Sequence, residues 1–162
     1  MNTIRVLFVE NQQFDMDAYA DILTDCCVVT KAYDIYQARD RLEGQRILDY
    51  DIVALDVMMP NLRMYSESVT KRGLETGLRF FDEYLLDKPD KSSAMPVLFL
   101  TAATGGILES IKEYEAKYPQ VKGILAKHES EPTQLREAII EGVRGNGRAK
   151  GEPQNQDSEQ PS

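Results

Sequence analysis

The sequence predicts an α/β fold in three layers: a five-stranded parallel sheet with helices on both faces. Three observations predict it. Strand-like and helix-like segments alternate five times along the chain, a rhythm that produces right-handed crossovers and parallel strands. The third strand-like run, Ile52-Val53-Ala54-Leu55, is apolar throughout instead of alternating, as a strand covered on both faces must be. The C-terminal ends of four strands would deliver Glu10 and Asn11, Asp56, Thr101 and Lys127 to one edge of the sheet, which is where open α/β sheets bind their ligands.

Composition agrees with a globular chain. It has 162 residues, 42% hydrophobic and 28% charged, enough for one domain with a proper core. The formal charge of −8 disfavours nucleic acid and favours a basic protein surface or a bound cation. The only two cysteines, Cys26 and Cys27, are adjacent; in a strand they would point to opposite faces, suggesting neither a disulfide framework nor a metal site, and a reducing compartment fits. No apolar run approaches membrane-spanning length and no signal-peptide pattern opens the chain, so a cytoplasmic protein is expected.

In chain order, Ile4 to Val9 is the first strand. Gln12 to Thr24 reads as a helix with Phe14, Ala18, Ile22 and Leu23 as its apolar face and Asp15, Asp17, Asp21 and Asp25 opposite. Cys26 to Ala32 is the second strand. Asp34 is the expected N-cap of a helix carrying Ala38 and Leu42 and ending near Gly44. The third strand ends on Asp56, and Pro60 soon after cannot continue a ladder. Taken alone, Asp56 could equally cap the following turn; the other strand ends argue for a site.

Residues 61–76 break the rhythm. They are polar and aperiodic, and a loop this long inside a domain is functional or mobile. A helix from Gly77 to Leu86 uses Leu78, Phe81 and Leu85. Pro96 to Thr101 is the fourth strand. Gly105-Gly106 opens a helix with Ile107, Ile111 and Tyr114, stopped by Pro119. Val121 to Ala126 is the fifth strand. The last helix starts near Pro132 and buries Leu135, Ala138, Ile139, Gly142 and Val143. From Gly145 the composition turns to Gly, Gln, Asn, Ser, Pro and charge, which predicts a disordered tail over 145–162.

Four stretches give the chain a specific resemblance. Val-Leu-Phe-Val-Glu-Asn at 6–11, Leu-Asp-Val-Met-Met-Pro at 55–60, Leu-Phe-Leu-Thr-Ala at 98–102 and Ile-Leu-Ala-Lys at 124–127 resemble the receiver domain of two-component response regulators, over roughly residues 3–144. The resemblance implies a single CheY-like receiver domain over residues 1–144, with 61–76 as an insert, and a flavodoxin-like sheet in the order 2-1-3-4-5. It also implies phosphorelay signalling: Asp56 takes a phosphoryl group from a sensor histidine kinase or a histidine phosphotransfer protein. Thr101 and Lys127 would contact that group. Mg²⁺ would be held by Glu10, Asn11, Asp56 and the backbone carbonyl of Met58, keeping several of its waters. Output would pass by protein contact to an unspecified target, without direct nucleic-acid or membrane binding. A homodimer through the fourth helix, fifth strand and fifth helix of the receiver pattern is compatible with it. The chain would then not be an enzyme.

The chain departs from the pattern at three positions. Asn11 stands where a second acid is usual, removing one charge from the cation site. His128 replaces the proline after the lysine, which puts the usual cis bond in doubt. Ile124 replaces the aromatic switch residue. These changes support a second reading, a pseudo-receiver acting as a constitutive binding module; Asp56, Thr101 and Lys127 oppose it. Enzyme readings fare worse. A haloacid-dehalogenase-like phosphatase would place an acid where Met58 stands. A dinucleotide-binding fold would have a glycine fingerprint after the first strand, yet no glycine precedes Gly44. Glu10-Asn11-Gln12-Gln13 is not a flavodoxin phosphate loop.

Overall fold

Strands form where β-branched and aliphatic residues run together, and five of them join in one sheet. They are β1 (Ile4–Val9), β2 (Cys27–Ala32), β3 (Ile52–Asp56), β4 (Val97–Thr101) and β5 (Val121–Ala126). The computed structural model describes residues 3–44, 50–86, 95–127 and 129–148. All four strand pairings are parallel, and the order is β2-β1-β3-β4-β5, the expected topology. Consecutive side chains on a strand leave by opposite faces, so the core is split in two. Leu7, Val9, Val53, Leu55, Val97 and Phe99 face α2 (Ile35–Gly44), α4 (Thr76–Phe80) and α5 (Gly105–Lys117). Val6, Phe8, Ile52, Ala54, Leu98 and Leu100 face α1 (Gln13–Leu23) and α6 (Pro132–Arg148). Burying each such aliphatic or aromatic side chain contributes on the order of 1.5–3 kcal/mol before entropy is counted. No described helix is long and apolar enough to cross a membrane.

Several details depart from the sequence reading. In α1 the buried stripe is Met16, Ala20 and Leu23, while Phe14 is 85% exposed. Both stripes have helical spacing, and docking chooses the one that lets Tyr19 stack on Phe8, with ring centroids 5.7 Å apart. Cys26 is not in the strand. It closes the turn after α1, its N–H donating to Leu23 O at 3.2 Å, so the face alternation expected of two strand residues does not apply. Its sulfur lies 3.2 Å from that of Cys27. At the other end of the chain, α6 runs through Arg148, past Gly145, where the tail was expected to start. Extending an existing helix costs far less than nucleating one. Residues 149–162 lie outside the described part, as does the whole of the Lys88–Ser93 connector.

The insert is more ordered than its aperiodic sequence suggests. It holds a one-turn helix, α3 (Glu67–Thr70), whose N-cap Ser66 accepts from the Val69 N–H. Thr70 is buried; its hydroxyl accepts from Asn61 Nδ2 at 3.2 Å and from the Gly73 N–H at 3.3 Å. Leu62, Arg63, Lys71 and Arg72 all take positive φ, which costs an L-residue roughly 1–2 kcal/mol each. The Tyr36 hydroxyl donates to Leu62 O at 2.9 Å, tying α2 to the loop. The helix expected over Gly77–Leu86 is α4 followed by a π-helical turn at Phe81–Leu85. Phe81 meets Phe99 and Tyr114 edge-on there, and Gln120 Nε2 bonds Leu85 O at 2.7 Å and Met95 O at 3.0 Å.

Candidate functional site

The residues expected at the strand ends do meet at one edge of the sheet. Glu10 follows β1, Asp56 ends β3, Thr101 ends β4 and Lys127 follows β5. They are all but sealed from solvent, with relative exposures of 0%, 1%, 1% and 7%. Lys127 is the hub. Its Nζ is 2.8 Å from Glu10 Oε2, 3.4 Å from Asp15 Oδ2 and 3.5 Å from Asp56 Oδ2. Its own N–H donates to Thr101 O at 2.7 Å, which fixes the β4 and β5 ends together. Burial works against the ammonium, but the Asp56, Glu10 and Asp15 carboxylates outweigh it and raise the Lys127 pKa.

Asp56 is the most perturbed acid. Burial and then the neighbouring Glu10 charge push its carboxyl up to about 8, against the pull of Lys127 and of the Met58 N–H. That N–H donates to Asp56 Oδ1 at 3.2 Å, so the peptide after the acid is already turned toward it. The Thr101 hydroxyl oxygen accepts from the Ala103 N–H at 2.9 Å, leaving its own proton to donate. Glu10 Oε1 accepts from the Gln12 N–H at 3.0 Å. Glu10 Oε2 has the Lys127 ion pair at 2.8 Å, and among the described residues no other donor is directed at it.

Two contributors escaped the sequence reading. Asp15 lies in the first turn of α1 and turns inward to Lys127; it had been grouped with the outward acids of that helix. Its signal was its position, five residues after Glu10 and in the first turn of the helix. Gly77 is the other. Its N–H donates to Val57 O at 2.9 Å, and a Cβ there would lie 2.6 Å from Val57 Cα and collide with Asp56 O. The first turn of α4 is thus pressed against the peptide of Asp56 itself. Asn11 and Met58 are half-buried beside these groups, and Ile124 is half-buried against the core cluster of α5. His128, and with it the peptide bond after Lys127, lies outside the described residues.

Three carboxylates share one ammonium here, which leaves the cluster with excess negative charge. Hard oxygen donors with excess negative charge suit a hydrated divalent cation, so the residues fit Mg²⁺ in donor type and charge. Among the described residues no group of three His, Cys, Asp or Glu side chains is arranged to hold an ion by itself, and Lys127 Nζ stands among the acids.

No protein-family model and no curated protein sequence matches the chain. Solved structures do. A CheY-like response regulator receiver domain protein from Methanospirillum hungatei superposes with TM-score 0.67 at 15% identity, over 91% of this chain and 99% of that one. A protein described as adenylate cyclase from Rhodopirellula baltica gives 0.68 at 19%, over 92% and 93%. The N-terminal domain of a response regulator/sensory box/GGDEF three-domain protein from Carboxydothermus hydrogenoformans gives 0.60 at 21%, over 91% and 99%. At these identities the likeness is one of fold: the chain has the CheY-like receiver fold.

Proposed function

We propose that the chain is a phosphoacceptor receiver of a two-component or phosphorelay pathway, phosphorylated on Asp56 and acting through protein contacts. One observation carries this reading: Asp56, Glu10, Thr101 and Lys127 come from four strand ends and meet, buried, at the ligand edge of a receiver-type sheet. An Asp56 carboxylate oxygen attacks the phosphorus of a phosphohistidine on a kinase or phosphotransfer protein. An O–P bond forms, the P–N bond breaks, and the imidazole leaves with the electron pair. Lys127 follows the charge from carboxylate to phosphoryl oxygens, and the Thr101 hydroxyl donates to one of them. Mg²⁺ held by Glu10, Asn11, Asp56 and the Met58 carbonyl would supply positive charge between two anions. The chain then carries a phosphoryl group between proteins and turns over no substrate of its own.

A second reading, a constitutive binding module, is favoured by the raised Asp56 pKa together with Asn11 in the usual place of an acid. One experiment separates the two. The full chain is treated with acetyl phosphate and Mg²⁺ and its intact mass is measured. A single phosphoryl gain that disappears in Asp56→Asn is expected. A gain that persists in Asp56→Asn refutes the acceptor assignment, and no gain in the wild type favours the binding module.

A further inference from the structure

The opposite end of the sheet carries two sulfurs in contact. Cys27 pairs with Ile4 where β1 and β2 begin, and Cys26 closes the turn before it. Their Sγ atoms are 3.2 Å apart, nearer than non-bonded sulfurs normally rest but far beyond the roughly 2.05 Å of a disulfide. The Cα atoms of neighbouring residues lie about 3.8 Å apart, closer than the roughly 4.4–6.8 Å that a disulfide spans. Direct oxidation to a disulfide would therefore strain the backbone, whereas one bridging atom fits the gap.

The geometry selects that atom. With bonds of about 2.3 Å, the length of zinc–thiolate bonds, a bite of 3.2 Å subtends roughly 90° at the bridging centre. A tetrahedral Zn²⁺ needs a wider angle and two further ligands, and no third Cys, His, Asp or Glu joins the pair among the described residues. A linear soft cation needs a wider angle still. A pyramidal three-coordinate centre, bonding near right angles, matches.

Access and charge agree with this. The pair opens on a groove of about 870 Å³ lined also by Arg136, Ile140 and Val143. Cys26 is half-buried and Cys27 buried. Burial and the adjacent Cys26 push the Cys27 thiol up to about 12, so it is a poor thiolate for ordinary alkylation. A neutral adduct suits this partly apolar wall better than a charged one.

We propose that Cys26 and Cys27 form a vicinal dithiol site that chelates trivalent arsenic or antimony. For an organoarsenic dihydroxide, two As–S bonds form and two As–O bonds break. The two thiol protons leave with the two hydroxides as water, and no atom changes oxidation state. The chain has no other cysteine to compete.

The probe is phenylarsine oxide with the native full chain, read by intact mass. One equivalent should stay bound under excess 2-mercaptoethanol and be released by a dithiol. Cys26→Ser should lose affinity by roughly 100-fold, as expected when a second attachment is removed, and Cys27→Ala should do the same. If Cys27→Ala fails to fold, the half-buried Cys26→Ser carries the comparison. A wild-type adduct removed by monothiol as readily as that of Cys26→Ser overturns the proposal.

Discussion

Removing the charge of Asp56 should stabilise the metal-free protein, and the gain should grow with pH. The carboxyl is raised from 3.8 to about 8, first by burial and then by Glu10. A folded pKa above the unfolded one means that the folded state holds an extra proton between those two values. Stability is therefore lost as pH rises from about 4 to about 8, with a slope of up to about 1.4 kcal/mol per pH unit. Taken in full, the shift amounts to about 5–6 kcal/mol; water entry and rearrangement around Lys127 reduce the realisable part to about 2–3 kcal/mol. Asp56→Asn keeps the shape and an acceptor for the Met58 N–H while deleting the charge. In EDTA at pH 8 the variant should melt about 5–10 °C above the wild type, using roughly 2–4 °C per kcal/mol for a chain of this size. At pH 4.5 the two should nearly coincide. The difference between the two proteins isolates Asp56, because every other titrating group is common to both. Mg²⁺ added at pH 8 should narrow the gap by binding the ionised wild-type cluster. An Asn variant no more stable than wild type at pH 8, or one with an equal gain at pH 4.5, would refute the electrostatic argument.

Three further outcomes follow from the site. Asn11→Asp restores one charge to the proposed cation site and should tighten Mg²⁺ by on the order of 1 kcal/mol; equal isotherms by calorimetry would contradict this. Gly77→Ala gains up to about 1 kcal/mol in helix propensity but forces a Cβ into the backbone of Asp56 and Val57, so a net loss of about 1–3 kcal/mol in urea unfolding is expected, and a neutral result would show that α4 can move aside. Met58 and Ala103 flank Asp56 and Thr101 without a polar group to orient water, so phosphate release should be slower in the wild type than in Met58→Asn/Ala103→Glu. Phosphate-release time courses that overlay would show that shielding is not the cause.

The strands and their polar ends were readable because both are local. Ile52 to Leu55 can only be a strand covered on both faces, and a residue directly after a strand has its place set by the sheet. What the sequence hid depends on tertiary choice. Phe14, Ala18 and Ile22 make as good a helical stripe as Met16, Ala20 and Leu23, and only docking on Phe8 separates them. Asp15 was hidden for the same reason, since turning the helix turns the acid inward. The insert was opaque because Leu62, Arg63, Lys71 and Arg72 adopt a backbone region that their residue types do not announce, held by Thr70. The sulfur contact was hidden by one residue of strand boundary: Cys26 belongs to the turn after α1, where the alternation of strand faces does not hold.

The C-terminal part of the insert works as a strap pressed onto the main chain that follows Asp56. Gly73, at a φ of 91°, lies where any Cβ would come within 2.9 Å of Met59 O, and four residues later Gly77 rests on Asp56 and Val57. Force applied to the exposed arc between Leu62 and Arg72 would therefore reach Asp56 through main-chain contacts, with no rotating aromatic required. Linkage makes such a connection two-way. A partner gripping the arc would retune the chemistry at Asp56, and a change at Asp56 would loosen or tighten that grip by the same factor.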